Sequence, residues 1–373
     1  MLLAIGLRGP VSSVGPLLDD LRRDVGLPAA AAALLPSLPL LCFGLLAPVA
    51  PLLSRRLGLH RAVLAGSAAL VLGVALRGAG VAGLFAGTLL LGSGIAVVNV
   101  LLPAVVKADF ADRVPLATAV TTSSIALSAS LGAGLAQPLR AATGGALPSL
   151  ATWLVPAVVG LLAWAPVARR SPAAAAPAPA GLGVLLRDRV GLAVTGFFGL
   201  QALAFYTMLA WLPSVLRDAG VSATEAGAML AVAAAAGVPV AFVVPGLAVR
   251  RPDQRRLVVL VALPTLAGLL GLLAAPGAAP WVWSVLLGIG TGAAFPLALT
   301  MVVLRSRDSA QAARLSATAQ GAGYCLCAAG PFGIGLVHAA TGGWRPSLLV
   351  LVGLLALQVA VGRSAARDRS VTG

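Results

Sequence analysis

The sequence predicts an all-α polytopic membrane protein of twelve transmembrane helices, arranged as two six-helix pseudo-repeats. Three observations predict it: an extreme apolar composition, a series of span-length apolar runs, and landmarks that recur on either side of a Pro/Ala-rich stretch. Of 373 residues, 59% are apolar and only 10% charged, with a mean hydropathy of +1.00. Soluble domains run at about 45–50% apolar and ~25% charged. A transmembrane β-barrel is excluded because its strands alternate apolar and polar residues.

The formal net charge of +15 invites a nucleic-acid reading. Basic DNA binders gather Lys and Arg in one patch or along one helix. Here the 26 basic residues stand in small groups between apolar runs, as in cytoplasmic loops of membrane proteins. No nucleic-acid partner is expected. All but Lys107 are Arg, the usage of a GC-rich genome, which points to a bacterial inner membrane. Cys42, Cys325 and Cys327 lie inside apolar runs without a His cluster, so they read as small core hydrophobes rather than a disulfide or metal site. The N-terminus has no basic stretch ahead of its apolar run, so a cleavable signal peptide is not expected.

The apolar runs place spans at 2–18, 30–53, 61–77, 81–106, 115–138 and 148–168, then 190–216, 224–249, 256–274, 280–304, 312–337 and 346–362. Each approaches or exceeds the length of about 17–25 residues that a bilayer-crossing helix needs. The polar interruption at 169–189 contains SPAAAAPAPAG, a composition typical of linkers. It separates an N-terminal half (1–168) from a C-terminal half (190–373). AATGG at 141–145 recurs at 339–343, Gly26 has its counterpart in Gly220, and the Arg55/Arg56/Arg61 loop matches the Arg250/Arg251/Arg255 loop. Two parallel six-helix halves fit this pattern.

Loop charge gives the orientation. With the N-terminus inside, the inner segments hold 19 Lys and Arg and the outer loops six: Arg22, Arg23, Arg77, Arg140, Arg217 and Arg345. The excess predicts that both termini and the linker are cytoplasmic.

Arg8 is the one basic residue within a span. A mid-span charge costs roughly 2.5–3.5 kcal/mol on insertion scales and marks a cavity, partner or ion path. Arg8 is also only about 9 Å of helix from the start of its run, so snorkelling to the cytoplasmic interface is the alternative. In the functional reading its planar fork captures a small anion. Pro10, Gly15 and Pro16 predict a break in the same helix. Ser12, one turn on, could add a hydroxyl. The remaining candidates for substrate binding are Asn99, Gln201, Tyr206, Gln320 and Tyr324, with helix-to-helix hydrogen bonding as their alternative role. Their spread over spans four, seven and eleven points to a cavity between the halves.

All eleven acidic residues fall at span ends or in loops. No mid-span carboxylate is present to serve a proton relay of the usual kind, and an anionic or neutral polar substrate is favoured over a cation. Gly288, Gly290 and Gly292 imitate part of a dinucleotide fingerprint but follow no strand, so they and Gly92, Gly94, Gly132, Gly134, Gly330 and Gly335 read as helix-packing positions. No nucleophile–base pair, metal constellation or phosphate loop occurs, so neither enzymatic activity nor a cofactor is expected.

Several segments carry a family resemblance: LRGPVSSVGPLLDDLRRDVGL (7–27), LPLLCFGLLAPVAPLLSRRLGLHRAVL (38–64), GIAVVNVLLPAVVKADFADRV (94–114), GLQALAFYTMLAWLPSVLRDAG (199–220) and QGAGYCLCAAGPFGIGLVHAATGGW (320–344). Together they resemble the cyanate and nitroimidazole permease branch of the major facilitator superfamily. The resemblance implies twelve spans, alternating access, a central site including Arg8 and Asn99, and movement of a small solute. It departs at Arg55, where the superfamily normally has an acidic residue before the Arg, and at GGALPS, whose counterpart reads GGWRPS. The expectation is a secondary transporter of a small anionic or polar solute, monomeric, with the lipid bilayer as its other partner. A multidrug or metabolite exporter and a non-transporting membrane sensor are the rival readings.

Overall fold

The computed structural model describes residues 1–27, 35, 38–170 and 187–371. Among these, the first half contains nine α-helices: α1 Leu2–Ser12, α2 Leu18–Val25, α3 Leu38–Leu46, α4 Val49–Leu57, α5 Leu59–Leu76, α6 Gly80–Asp109, α7 Val114–Thr143, α8 Ala146–Ala151 and α9 Leu154–Arg170. The second half contains six: α10 Arg189–Asp218, α11 Ala223–Val249, α12 Arg255–Ala274, α13 Pro280–Leu304, α14 Ser309–Thr341 and α15 Trp344–Ala365. Ten helical segments are long and apolar enough to cross a membrane, and α3 with α4, bent by 60° at their junction, forms an eleventh. The apolar stretch Leu2–Leu17 is shorter. Helices thus occupy all twelve predicted runs; residues 30–34, 36 and 37 of the second run and residues 171–186 of the linker lie outside the described residues. Large apolar side chains such as Leu45, Val155, Leu162 and Phe332 are exposed on the outer surface, as lipid-facing positions require.

The repeat is visible in bonding as well as in sequence. Gly144 and Gly342, 198 residues apart, end α7 and α14 in the left-handed region at φ +79° and +69°, a conformation glycine adopts without strain. Thr143 Oγ1 donates to the Leu139 and Gly145 carbonyls, and Thr341 Oγ1 to those of Val337 and Gly343. Ser149 Oγ donates to the Ala136 carbonyl at 3.0 Å, and Ser347 Oγ to that of Ile334 at 3.3 Å.

Close helix contacts explain Gly288, Gly290 and Gly292. A Cβ at Gly288 would stand 1.9 Å from the Ala233 carbonyl oxygen, so α11 and α13 meet backbone to backbone. Gly134, by contrast, faces open space and is not a packing position.

The first helix breaks as predicted. Beyond Pro10 the amide of Val14 bonds to Val11 rather than continuing the α-helical ladder, which leaves the Pro10 carbonyl free. Arg77 Nη1 donates to that carbonyl at 2.5 Å, and its Nε donates to Thr88 Oγ1 at 3.1 Å. Arg77 is therefore not the solvated outer-loop charge of the sequence reading. It is 1% exposed, held inside the protein because the broken helix offers an acceptor.

Candidate functional site

Arg8 lies near the middle of α1, two residues before the proline. Its helix is fixed against α7 by Ser128, whose Oγ donates to the Ile5 carbonyl at 2.5 Å and accepts from the Gly9 and Arg8 amides at 2.8 and 3.3 Å. A hydroxyl that both donates and accepts can hold the rotation of a helix against its neighbour.

That rotation aims the guanidinium at the second half. Arg8 Nη1 donates to Tyr206 Oη at 3.0 Å and Nη2 to Tyr324 Oη at 3.2 Å. These are the only two tyrosines in the chain. The guanidinium carbon also stands 5.1 Å from the centre of the Phe43 ring, a cation–π distance. Tyr324 lies 5.3 Å from Phe43, 5.4 Å from Phe198 and 6.4 Å from Tyr206, ring centre to ring centre. Small residues make this convergence possible: a Cβ at Gly199 would be 3.1 Å from Gly323, so α10 and α14 approach closely, and Gly44 lets α3 rest on Cys325.

Asn99 and Gln320 form a second inter-half contact. Pro103 has no amide hydrogen, so the carbonyl of Asn99 four residues earlier has no helical donor. Gln320 Nε2 takes it at 3.1 Å while also donating to Ser316 Oγ at 2.8 Å. The Asn99 side chain is buried, and neither its oxygen nor its nitrogen has a hydrogen-bond partner among the described residues.

The candidates therefore divide. Arg8, Tyr206 and Tyr324 meet directly, and Gln320, one turn before Tyr324, meets Asn99. Ser12 is not brought to the guanidinium: at the end of α1 its Cβ faces Gly132 of α7, 3.1 Å from where a Cβ there would stand. Gln201 is five residues from Tyr206 and so on another face of α10. It lines a small cavity with Thr265, Thr291 and Gln358 inside the second half. Phe43, Phe198 and Ser128 were not signalled by the sequence, since a Phe in an apolar run and a Ser in a small-residue run carry no mark of their environment.

Electrostatically the site is one-sided. Among the described residues no carboxylate lies within ion-pair distance of Arg8; the partners of its fork are the phenols of Tyr206 and Tyr324. The arrangement can receive an electronegative group on the fork and a flat apolar body against the rings.

A helical membrane protein with two related halves and a polar cluster where they meet belongs to the class of solute transporters. Residues 1–331 match the Major Facilitator Superfamily, and the chain belongs to it. It is 33% identical to the 2-nitroimidazole transporter of Escherichia coli (strain K12), over all of this chain and 95% of that protein. It is 30% identical to the cyanate transport protein CynX of the same organism, over 95% of this chain and 94% of that one. Its fold is similar to that of the E. coli fucose:proton symporter FucP, with a TM-score of 0.74 at 15% identity, covering 98% of each chain. These relatives are transporters rather than enzymes.

Proposed function

We propose that the protein carries a small anionic or electronegative polar solute across the bacterial inner membrane, by alternating access of its halves around the Arg8 layer. The observation that carries this reading is the Arg8 guanidinium: a permanent charge near mid-span, bonded to both tyrosines of the opposite half and, among the described residues, without a carboxylate in ion-pair range. Such a charge is costly to insert, and a negative or electronegative solute group would compensate it. The relatives named for 2-nitroimidazole and cyanate transport support the class, because a nitro group and a cyanate ion both offer electronegative atoms to a guanidinium fork. Asn99, Gln320, Tyr206 and Tyr324 complete the recognition shell, and the rings of Phe43 and Phe198 favour a flat solute.

In this reading residues 1–168 and 190–373 are the moving halves, 169–189 is the cytoplasmic linker, and both termini are cytoplasmic. The working unit is one chain in the lipid bilayer. Lys107 Nζ donates to the Val303 carbonyl at 3.4 Å, and Thr122 Oγ1 to that of Ala241 at 3.1 Å. Both contacts join the halves on the side that loop charge assigns to the cytoplasm, the pattern expected of a conformation open to the outside.

The test is ligand-induced thermal stabilisation followed by flux in proteoliposomes. The ligands are cyanate, nitrate, short carboxylates, 2-nitroimidazole and a lipophilic cation, each on wild type and Arg8→Ala. A ligand that binds the folded state raises its apparent stability. An anion or the nitro compound should stabilise wild type, lose at least about 10²-fold in affinity in Arg8→Ala if two charge-assisted bonds of roughly 1.5 kcal/mol each disappear, and show flux. Equal stabilisation of both proteins by the cation would overturn the reading in favour of an exporter of cationic compounds. Binding without flux would make the protein a sensor.

A further inference from the structure

Behind the Arg8 layer, the second half contains a small cavity lined by Gln201 of α10, Thr265 of α12, Gly290 and Thr291 of α13, and Gln358 of α15. Gln201, Thr265 and Gln358 are 3%, 4% and 4% exposed, yet their side chains make no hydrogen bond to any described residue. Thr291 Oγ1 donates to the Leu287 carbonyl at 2.7 Å, which leaves its lone pairs free to accept. Two bare carboxamides in a membrane interior are expensive unless something satisfies them. The cavity has room for about one water molecule.

The first half shows that the fold does not require this feature. The 198-residue offset set by Thr143/Thr341 and Ser149/Ser347 also relates the Gly132–Gly9 approach to that of Gly330 on Thr207, and it pairs Leu3 with Gln201 and Gly160 with Gln358. There, a Cβ at Gly160 would stand 3.1 Å from the Leu3 Cα, so the two helices touch directly. The first half closes this position by direct helix contact; the second places two amides there, beside the hydroxyls of Thr265 and Thr291. Gly290 keeps the opening compact, since a Cβ there would fall 2.1 Å from Thr265 Oγ1.

We propose that this cavity is a binding site for one resident water molecule, held by Gln201, Thr265, Thr291 and Gln358, that ties α10 to α12, α13 and α15. The ligand set selects water over a monovalent cation. A cation would use the amide oxygens and leave the amide N–H groups bare, whereas water donates and accepts and can satisfy both kinds of atom. Because Tyr206 follows Gln201 on α10, the water also sets the rotation at which α10 presents its phenol to Arg8. The proposal does not depend on what the protein transports.

Three measurements test it. In a density map of the wild-type protein resolved well enough to show ordered water, a peak should stand about 2.6–3.2 Å from polar atoms of both Gln201 and Gln358; an empty cavity overturns the proposal. In nanodiscs, Gln201→Leu and Gln358→Leu should each lower the apparent Tm, and the double variant should recover most of the loss because both amides that need the water are gone. Simply additive losses would mean that the two side chains share no occupant. Replacing sodium by choline at constant ionic strength should leave the wild-type Tm unchanged. A fall in Tm seen in wild type and absent from the double variant would identify the occupant as a cation and overturn the water assignment. The map needs no variant, so a substitution that fails to fold leaves the proposal testable.

Discussion

If both tyrosines are held in place by the Arg8 charge, the cost of removing a phenol depends on whether that charge is present. Tyr206 accepts from Nη1 at 3.0 Å and Tyr324 from Nη2 at 3.2 Å, one bond for each arm of the fork. A hydrogen bond to a charged group contributes about 1.5–3 kcal/mol, and its loss leaves a desolvated donor. Tyr206→Phe or Tyr324→Phe should therefore cost roughly that amount in the ligand-free protein, a fall in apparent Tm of about 2–4 °C for a chain of this length. In an Arg8→Met background the same substitutions remove only a hydroxyl that has lost its donor, and the fall should shrink to within about 0.5 kcal/mol of zero, giving a coupling energy of at least about 1 kcal/mol for each pair. The assay is thermal unfolding of the four proteins of each cycle in nanodiscs, followed by the fluorescence of the six tryptophans. Adding saturating substrate to Tyr206→Phe should restore much of the lost stability, because the solute occupies the vacated arm of the fork. Equal Tyr→Phe costs in both backgrounds would refute the reasoning: the phenols would then be placed by ring packing on Phe43 and Phe198, and the fork would be idle.

Three further outcomes follow from the same structure. Arg77→Met should destabilise the protein by roughly 1–3 kcal/mol, because the Pro10 carbonyl loses its partner inside the protein, and it should weaken substrate binding by loosening α1 just beyond Arg8; thermal unfolding and ligand titration measure the two effects. Gly288→Ala should be among the most damaging single-methyl changes, since its Cβ would stand 1.9 Å from the Ala233 carbonyl oxygen; overpacking of this kind costs about 1–3 kcal/mol or more, and yield of folded protein and unfolding midpoint will show it. The exposed Asp253–Arg255 pair holds the Asp253 carboxyl below its ordinary value, chiefly through the hydrogen bond from the Arg255 side chain. A depressed carboxylate favours the folded state above the unfolded-state pKa and loses that contribution as pH falls through the folded value. The amide of Arg255, which bonds to Asp253 Oδ1 at 2.8 Å, should therefore keep constant exchange protection, after correction for intrinsic rate, at neutral pH and lose it only below about pH 4.

What the sequence made legible follows from how each feature is encoded. Helix number and the repeat are written in long apolar runs and turn residues, which act locally: Gly144 and Gly342 end their helices wherever the rest of the chain lies. Arg8, Tyr206 and Tyr324 stood out because polar side chains are rare in spans. Their meeting depends on three helices and could not be read from spacing. Gln201 stands apart from that group because its face of α10 turns away from Arg8, and Ser12 because its Cβ packs against Gly132 of α7 while the guanidinium reaches across to the second half. Arg77 was counted with the outer loops because it follows an apolar run; the freed carbonyl of Pro10 and the hydroxyl of Thr88, both on other helices, hold it inside. Pro103 is the opposite case, a local signal with a distant consequence, since the acceptor it frees at Asn99 is the one Gln320 uses across the halves.

The positions where the two halves disagree are the ones that carry chemistry. Turn glycines, the Thr143/Thr341 bonds and the Ser149/Ser347 bonds match across the repeat, so the scaffold is built twice from the same instructions. At the same offset, Arg8 is paired with Tyr206 and Leu3 with Gln201, and a third pair of basic residues, Lys107 and Arg305, stands at the corresponding ends of α6 and α13. The first pair puts a cation in one half and its phenol partner in the other, and they touch. In the third pair, Lys107 reaches across to the Val303 carbonyl, whereas Arg305 stays within its own half, donating to the carbonyls of Ala365 and Ala366. A bond across the interface must break and re-form if the halves rock, while one inside a half can persist. The weak 3.4 Å Lys107 contact and the neutral phenols on Arg8 suit the first requirement, and the dense Arg305 network suits the second. Exchanging the residues of the Lys107/Arg305 pair should therefore slow transport more than it destabilises the fold, because it would place the stronger fork on the interface that has to open.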